Sequence, residues 1–142
     1  MARTATAQWK GDLQSGEGKL ALGSGSFEGP YTFKSRFEEG AGTNPEEMIG
    51  AAEAGCFTMA LSLALTENGT PPESIDTEAK VNLRNLDGTP TIDSIALTTR
   101  ARIDGVDDAT FKEMAAQAKE QCIVSRALAG VNEITVDAAL EG

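Results

Sequence analysis

Residues 42–68, GTNPEEMIGAAEAGCFTMALSLALTEN, read as one long helix, and the rest of the chain reads as its covering. Pro45 suits the first helical position, where its missing N–H costs nothing, and Asn44 before it is a good N-cap. Glu47, three residues after Asn44, can reach back to the cap's N–H in a capping box. Glu46 is then left without a capping task. Asn68-Gly69 supplies a left-handed C-terminal cap, and Pro71-Pro72 forbids continuation. Between the caps apolar side chains point in every direction, from Met48 and Ile49 through Phe57, Met59, Leu61, Leu63 and Leu65. Such a helix has no wet side, so its own chain or a partner's must bury it. A bilayer span is not expected, because Glu53 leaves the uninterrupted apolar run short of the ~20 residues that a membrane requires.

The remaining segments alternate in hydropathy. Ala5, Ala7 and Trp9 against Thr4, Thr6, Gln8 and Lys10 give the period of a half-buried strand, a second strand is expected near residues 19–22, and Tyr31 with Phe33 suggest a third. The charged segment FKSRFEEGAG reads as an exposed loop that carries Arg36 close to a helix end. After the long helix, Ile75, Thr77, Ala79, Val81 and Leu83 face one way and the charged residues between them the other. Leu86-Asp87-Gly88-Thr89 is a hairpin signal. The return strand turns Ile95, Leu97, Thr99, Ala101 and Ile103 inward, and Ile92, out of phase, calls for a bulge or a late strand entry near Ser94. One-sided strands of this kind form antiparallel sheets with one face on helices.

Asp107 or Asp108 caps a second helix whose stripe runs Phe111, Met114, Ala115, Ala118, Cys122. A break at residues 121–125, a short helical piece closed by Gly130, and a last strand with Ile134, Val136, Ala138 and Leu140 inward complete the chain. The residues thus give an α+β fold, antiparallel sheets wrapped around a long buried central helix, in a single domain over residues 1–142.

Composition narrows the function. Twelve basic against 22 acidic residues give a net charge of -10, which repels phosphate backbones and anionic lipids, so neither nucleic acid nor a membrane is an expected partner. The opening MARTATAQWK lacks a signal-peptide pattern, and a cytoplasmic location is expected. The absence of histidine removes Ser-His and Cys-His nucleophiles and ordinary zinc sites. No metal or cofactor is expected.

Chemistry falls to the two cysteines, Cys56 and Cys122, one on each main helix and both directed to the core. Free cysteine often merely fills space. Redox chemistry requires more, because a thiol of pKa near ~8.5 is only a few per cent ionised at neutral pH and the thiolate is the nucleophile. A cation must stand beside it. The long helix has no Lys or Arg; Arg36 is the best-placed candidate, then Arg126, and Glu46 can hold a guanidinium in a fixed fork. Glu46 and Cys56 are ten residues apart, ~15 Å along one helix, so either an arginine bridges from a loop or a second copy of the chain completes the site.

At these residues the sequence resembles the OsmC/Ohr family of thiol peroxidases, closer to its OsmC branch. The segments QWKGDLQSGEGK, YTFKSRFEEGAGTNPEEMIGAAEAGCFTMALSLAL and SIDTEAKVNL, with a second cysteine followed by Ile-Val-Ser, carry the likeness. The resemblance implies an obligate, intertwined homodimer that reduces organic hydroperoxides at two interface sites. It makes Cys56 the attacking cysteine, Cys122 the resolving one, Arg36 the thiolate-stabilising arginine and Glu46 its carboxylate partner. A sulfenic acid on Cys56 would condense with Cys122 into a disulfide. A cellular dithiol, in relatives a lipoyl-bearing protein, would restore both thiols.

Two positions depart from the family pattern. Glu53 stands where relatives commonly have histidine, three residues before Cys56; a carboxylate facing the sulfur would raise the thiol pKa, so Glu53 is expected to turn away or pair with an arginine. Ile123 stands where relatives usually have proline, which is expected to loosen the start of the last helix and slow disulfide formation. The rival reading is a non-catalytic dimeric binding protein whose apolar cleft holds a hydrophobic ligand.

Overall fold

The computed structural model describes all 142 residues, which divide into two compact units, Met1–Met48 and Ile49–Gly142.

The first unit holds β1 (Ala5–Lys10), β2 (Glu17–Leu22) and β3 (Glu28–Tyr31), paired antiparallel in that order. β1 is less covered than its alternation suggests: Ala5 to Gln8 are all exposed and only Trp9 is partly buried, edge-on to Tyr31 at 5.3 Å. The third strand stops at Tyr31, and the expected exposed loop after it is instead a short helix, α1 (Phe33–Phe37). The reason is a reciprocal cap: Ser35 N–H donates to Thr32 Oγ1 at 3.1 Å and Thr32 N–H donates to Ser35 Oγ at 2.8 Å. The buried Ser35 hydroxyl also reaches the Thr43 carbonyl at 2.8 Å, which ties α1 to the entry of the long helix.

That helix, α2, spans Pro45–Glu67. Asn44 caps it as read, its side-chain oxygen accepting from Glu47 N–H at 2.7 Å. The Glu47 carboxylate, however, accepts from the Thr43 hydroxyl at 3.0 Å and closes no capping box. At the other end Gly69 takes φ +82°, and Thr70 N–H donates to the Leu65 carbonyl at 2.9 Å, the six-to-one closure of a Schellman cap.

The second unit's sheet runs β4 (Ser74–Leu86), β5 (Thr89–Arg102), β6 (Glu133–Leu140). β4 and β5 form the expected hairpin, with positive φ at both Asp87 (51°) and Gly88 (85°), a type I′ turn. The bulge falls at Asp93: Asn82 faces Ser94 and Leu83 faces Ile92. β6 departs from expectation, since it pairs with β5 in parallel, Ile95 facing Ile134 and Ala101 facing Leu140. Parallel pairing is available because the connection carries two helices, α3 (Asp108–Gln121) and α4 (Ile123–Ala127).

The core of this unit joins Phe57, Leu61 and Leu65 of α2 with Leu97 and Ala101 of β5, Phe111, Ala115 and Ala118 of α3, Cys122, and Ala138 of β6. A hydroxyl ladder crosses it: Thr58 donates to Thr77 at 2.8 Å, and Thr77 bonds Thr99 at 2.9 Å, which satisfies the buried Thr99. α2 meets the length and hydropathy of a membrane span, but Glu53, Phe57, Leu61 and Leu65 form one fully buried stripe, the pattern of a core helix. It is not buried all round. The opposite stripe, Ala51, Ala52, Gly55, Met59 and Leu63, is exposed, with Met59 at 76% and Leu63 at 59%.

Cys122 ends α3 and caps α4 at once, with φ -60° and ψ 122° and its sulfur accepting from Ser125 N–H at 3.5 Å. Those angles are the extended ones that a residue before proline prefers. Ile123 is therefore a first helical residue whose N–H has no partner within its helix, and it is 69% exposed. Ile123→Pro is expected to stabilise the chain by about 0.4–1 kcal/mol by restricting the unfolded state. A thermal melt should show a rise of up to about 4 °C; a fall would mean that the loop around Cys122 needs the freedom or the N–H of Ile123.

Candidate active site

Two constellations hold the residues singled out in the sequence. In the first unit, α1 presents Arg36 from its last turn and the first turn of α2 presents Glu46. Arg36 Nη2 donates to Glu46 Oε1 at 2.8 Å, and Nε lies 3.1 and 3.3 Å from the two carboxylate oxygens. Glu46 is buried while the Arg36 side chain stays 38% exposed, so the carboxylate is the anchor and the guanidinium the presented group. The ring of Phe37 lies under that guanidinium, 5.2 Å from centroid to Cζ. A cleft of about 400 Å³ opens here, lined by Trp9, Leu13, Tyr31, Phe33, Arg36 and Phe37. It offers an aromatic wall and a cation, the lining a small apolar molecule with a polar end would fill.

Other arginines are otherwise engaged. Arg84 pairs with Asp93 at 3.3 Å, Arg100 with Asp137 at 3.4 Å and Arg102 with Glu141 at 3.1 Å. Arg126, the second candidate, is exposed on α4 and has no carboxylate within ion-pair distance to fix it.

In the second unit the two thiols come together from α2 and the α3–α4 junction. Both are free, Cys122 is buried, and Cys56 is half-buried at the edge of the same core. They are neighbours, Cys56 packing against the cluster that contains Cys122. Burial pushes the Cys122 thiol up from its ordinary value; its bonds from Ser125 oppose this, while the neighbouring Cys56 and the charge of Glu53 add to it. Cys122 is thus held as a protonated thiol, and Cys56 is the one that solvent and small molecules can reach.

Glu53 finds a different partner from the arginine expected for it. It pairs with no arginine; it is fully buried, its Oε1 accepting from the Ser125 hydroxyl beside Cys122 and its Oε2 without any partner. Burial is forced by position, since residue 53 lies on the α2 stripe continued by Phe57, Leu61 and Leu65. Neither Glu53 nor Ser125 was among the residues expected to act, although their spacing, three before Cys56 and three after Cys122, set each beside a thiol.

The OsmC-like protein family matches residues 38–137 of the chain. A relative called Peroxiredoxin OsmC, from Escherichia coli, is 46% identical over 136 residues, 95% of this chain and 94% of the relative. An uncharacterised protein of Bacillus subtilis is 28% identical over 108 residues, 72% of this chain and 71% of its own length. Among solved structures, an OsmC-like protein from Vibrio cholerae aligns with a TM-score of 0.77 at 17% identity, covering 97% of this chain and 99% of its own. An organic hydroperoxide resistance protein of Bacillus subtilis aligns at 0.70 and 24%, covering 97% and 98%. At these identities the structures speak for the shared fold.

Proposed function

This chain belongs to the OsmC-like protein family and is a cysteine-based peroxidase, and from that premise we propose that it reduces organic hydroperoxides to alcohols through a sulfenic acid and an intramolecular disulfide. The observation that carries the reading is the adjacency of a reachable thiol, Cys56, to a buried protonated one, Cys122. The Cys56 thiolate attacks the distal peroxide oxygen, the O–O bond breaks, and the alkoxide takes a proton and leaves as the alcohol. Cys122 then displaces hydroxide from the Cys56 sulfenic acid, which gives the disulfide and water. A dithiol, of the kind a lipoyl-bearing protein carries, returns both thiols, and the cycle calls for no metal or cofactor.

Arg36, fixed by Glu46, supplies the positive charge that stabilises the thiolate and the leaving alkoxide. The aromatic cleft beside Arg36 suits the organic tail of the peroxide. Residues 1–142 act as one functional domain, and the working unit is a homodimer, because the bare stripe of Met59 and Leu63 on α2 is the kind of surface a second copy covers. The cytoplasm, with its reducing thiol pool, is the compartment this cycle fits.

Thiol titration tests the reading. One equivalent of an organic hydroperoxide should consume both thiols, and a dithiol should restore them. Survival of both thiols would leave the binding-protein reading in place. Light scattering should give the mass of a dimer, and a stable monomer would contradict the shared site.

A further inference from the structure

We infer that Glu53 is the proton carrier of the disulfide-forming step, taking the thiol proton of Cys122 through the Ser125 hydroxyl and delivering it to the hydroxide that leaves Cys56. The inference rests on the sulfenic acid and disulfide course proposed above. It starts from a cost: a fully buried carboxylate oxygen, Oε2, has no donor. A carboxyl kept for structure would have both oxygens satisfied or a cation beside it, and Glu53 takes part in none of the chain's ion pairs.

What surrounds Glu53 is the resolving half of the reaction. Ser125 is buried and touches both groups: its hydroxyl donates to Glu53 Oε1 and its N–H meets the Cys122 sulfur at 3.5 Å. In the proposed step this hydroxyl passes its proton to Glu53 while it accepts the one on Cys122. Glu53 also precedes Cys56 by three residues on α2, neighbouring positions along the helix, and no donor holds its Oε2 in place, so the carboxyl can turn to deliver the proton.

The step balances within the chain. Cys122–SH gives its proton through Ser125 to the Glu53 carboxylate, its sulfur attacks the sulfur of Cys56–SOH, and the S–O bond breaks. Glu53 returns the proton to the departing hydroxide, which leaves as water. One disulfide and one water replace a sulfenic acid and a thiol, and Glu53 ends as it began. Without this carrier the reaction asks a buried thiol to ionise in an apolar core and hydroxide to leave into the same core, both unfavourable. Burial keeps Cys122 protonated at rest, and the proposed relay releases that proton when a sulfenic acid appears.

Rapid quenching of the protein after one equivalent of cumene hydroperoxide, with the sulfenic acid trapped by a 1,3-dione and the disulfide followed by mass spectrometry, tests the role. Glu53→Gln should lengthen the life of the Cys56 sulfenic acid on the order of 10²-fold, the usual span of a lost acid–base group. Glu53→His, bulkier but able to take and give a proton, should close the disulfide faster than the glutamine variant. Disulfide closure by Glu53→Gln at the wild-type rate would overturn the inference. So would the reverse order of the two variants, because only histidine can take and give a proton at that position. If Glu53→Gln does not fold, Ser125→Ala cuts the same relay and should lengthen the sulfenic acid's life as well; an unchanged life there overturns the relay. A wild type that forms neither sulfenic acid nor disulfide defeats the peroxidase course itself, a result distinct from any of these.

Discussion

Cys56→Ser is expected to bring turnover of an organic hydroperoxide with a dithiol down to background. The proposed cycle begins with a sulfur nucleophile, and a serine hydroxyl in the same place has neither the acidity nor the intrinsic reactivity to attack a peroxide oxygen. Removal of a sole nucleophile costs on the order of 10⁶-fold in kcat where it has been isolated. Cys122→Ser should fail differently: the half-buried Cys56 still meets the peroxide, one equivalent of alcohol appears, and the sulfenic acid persists because no second thiol lies beside it. Mass spectrometry separates the two, with an unoxidised chain in the first variant and a single added oxygen in the second. Steady turnover by Cys56→Ser would remove the central assignment, and rapid disulfide formation by Cys122→Ser would require a partner thiol from another chain.

How far the sequence spoke for this site depends on the range of the interaction. Local chemistry was legible. The Asn44 cap, the Gly69 closure, the Asp107 cap of α3 and the Asp87-Gly88 turn each follow from a few adjacent residues, and all are observed. The Arg36–Glu46 pair was legible for a related reason, since Glu46 stood in the first turn without a capping task. The short helix α1 escaped because its cap uses serine where an acid is the usual signal. The parallel pairing of β6 escaped because Ile134, Val136, Ala138 and Leu140 are turned inward whichever way the strand runs, so periodicity cannot state direction. Glu53 is the instructive case. Counting by fours from 53 gives 57, 61 and 65, the buried stripe itself, so the arithmetic placed the carboxylate in the core. The effect of a carboxylate on a nearby thiol argued for one turned away or paired with an arginine, and the helix period set its place in the core.

The other large effect is expected at Arg36. In the proposed role its guanidinium meets charge that forms during O–O cleavage, and donors of that kind are worth about 10²–10³-fold when removed. Arg36→Ala should therefore lower kcat/KM for the hydroperoxide by that factor, read as the single-turnover rate of Cys56 oxidation. Arg36→Lys should recover little of it, because an ammonium cannot reproduce the fork that spans both Glu46 oxygens, 3.1 and 3.3 Å from Nε with Nη2 at 2.8 Å. Glu46→Gln keeps the guanidinium and loses the charge-assisted anchor, so its loss should be smaller, about tenfold, the order of one charge-assisted bond. The two residues act as one device in this account: Glu46 matters only through the arginine it holds. The double variant should consequently be no slower than Arg36→Ala alone, a large departure from additivity. Losses that instead multiply would mean that the buried Glu46 carboxylate acts on the reaction in its own right, and its place beside Arg36 would then be a matter of helix docking rather than of chemistry.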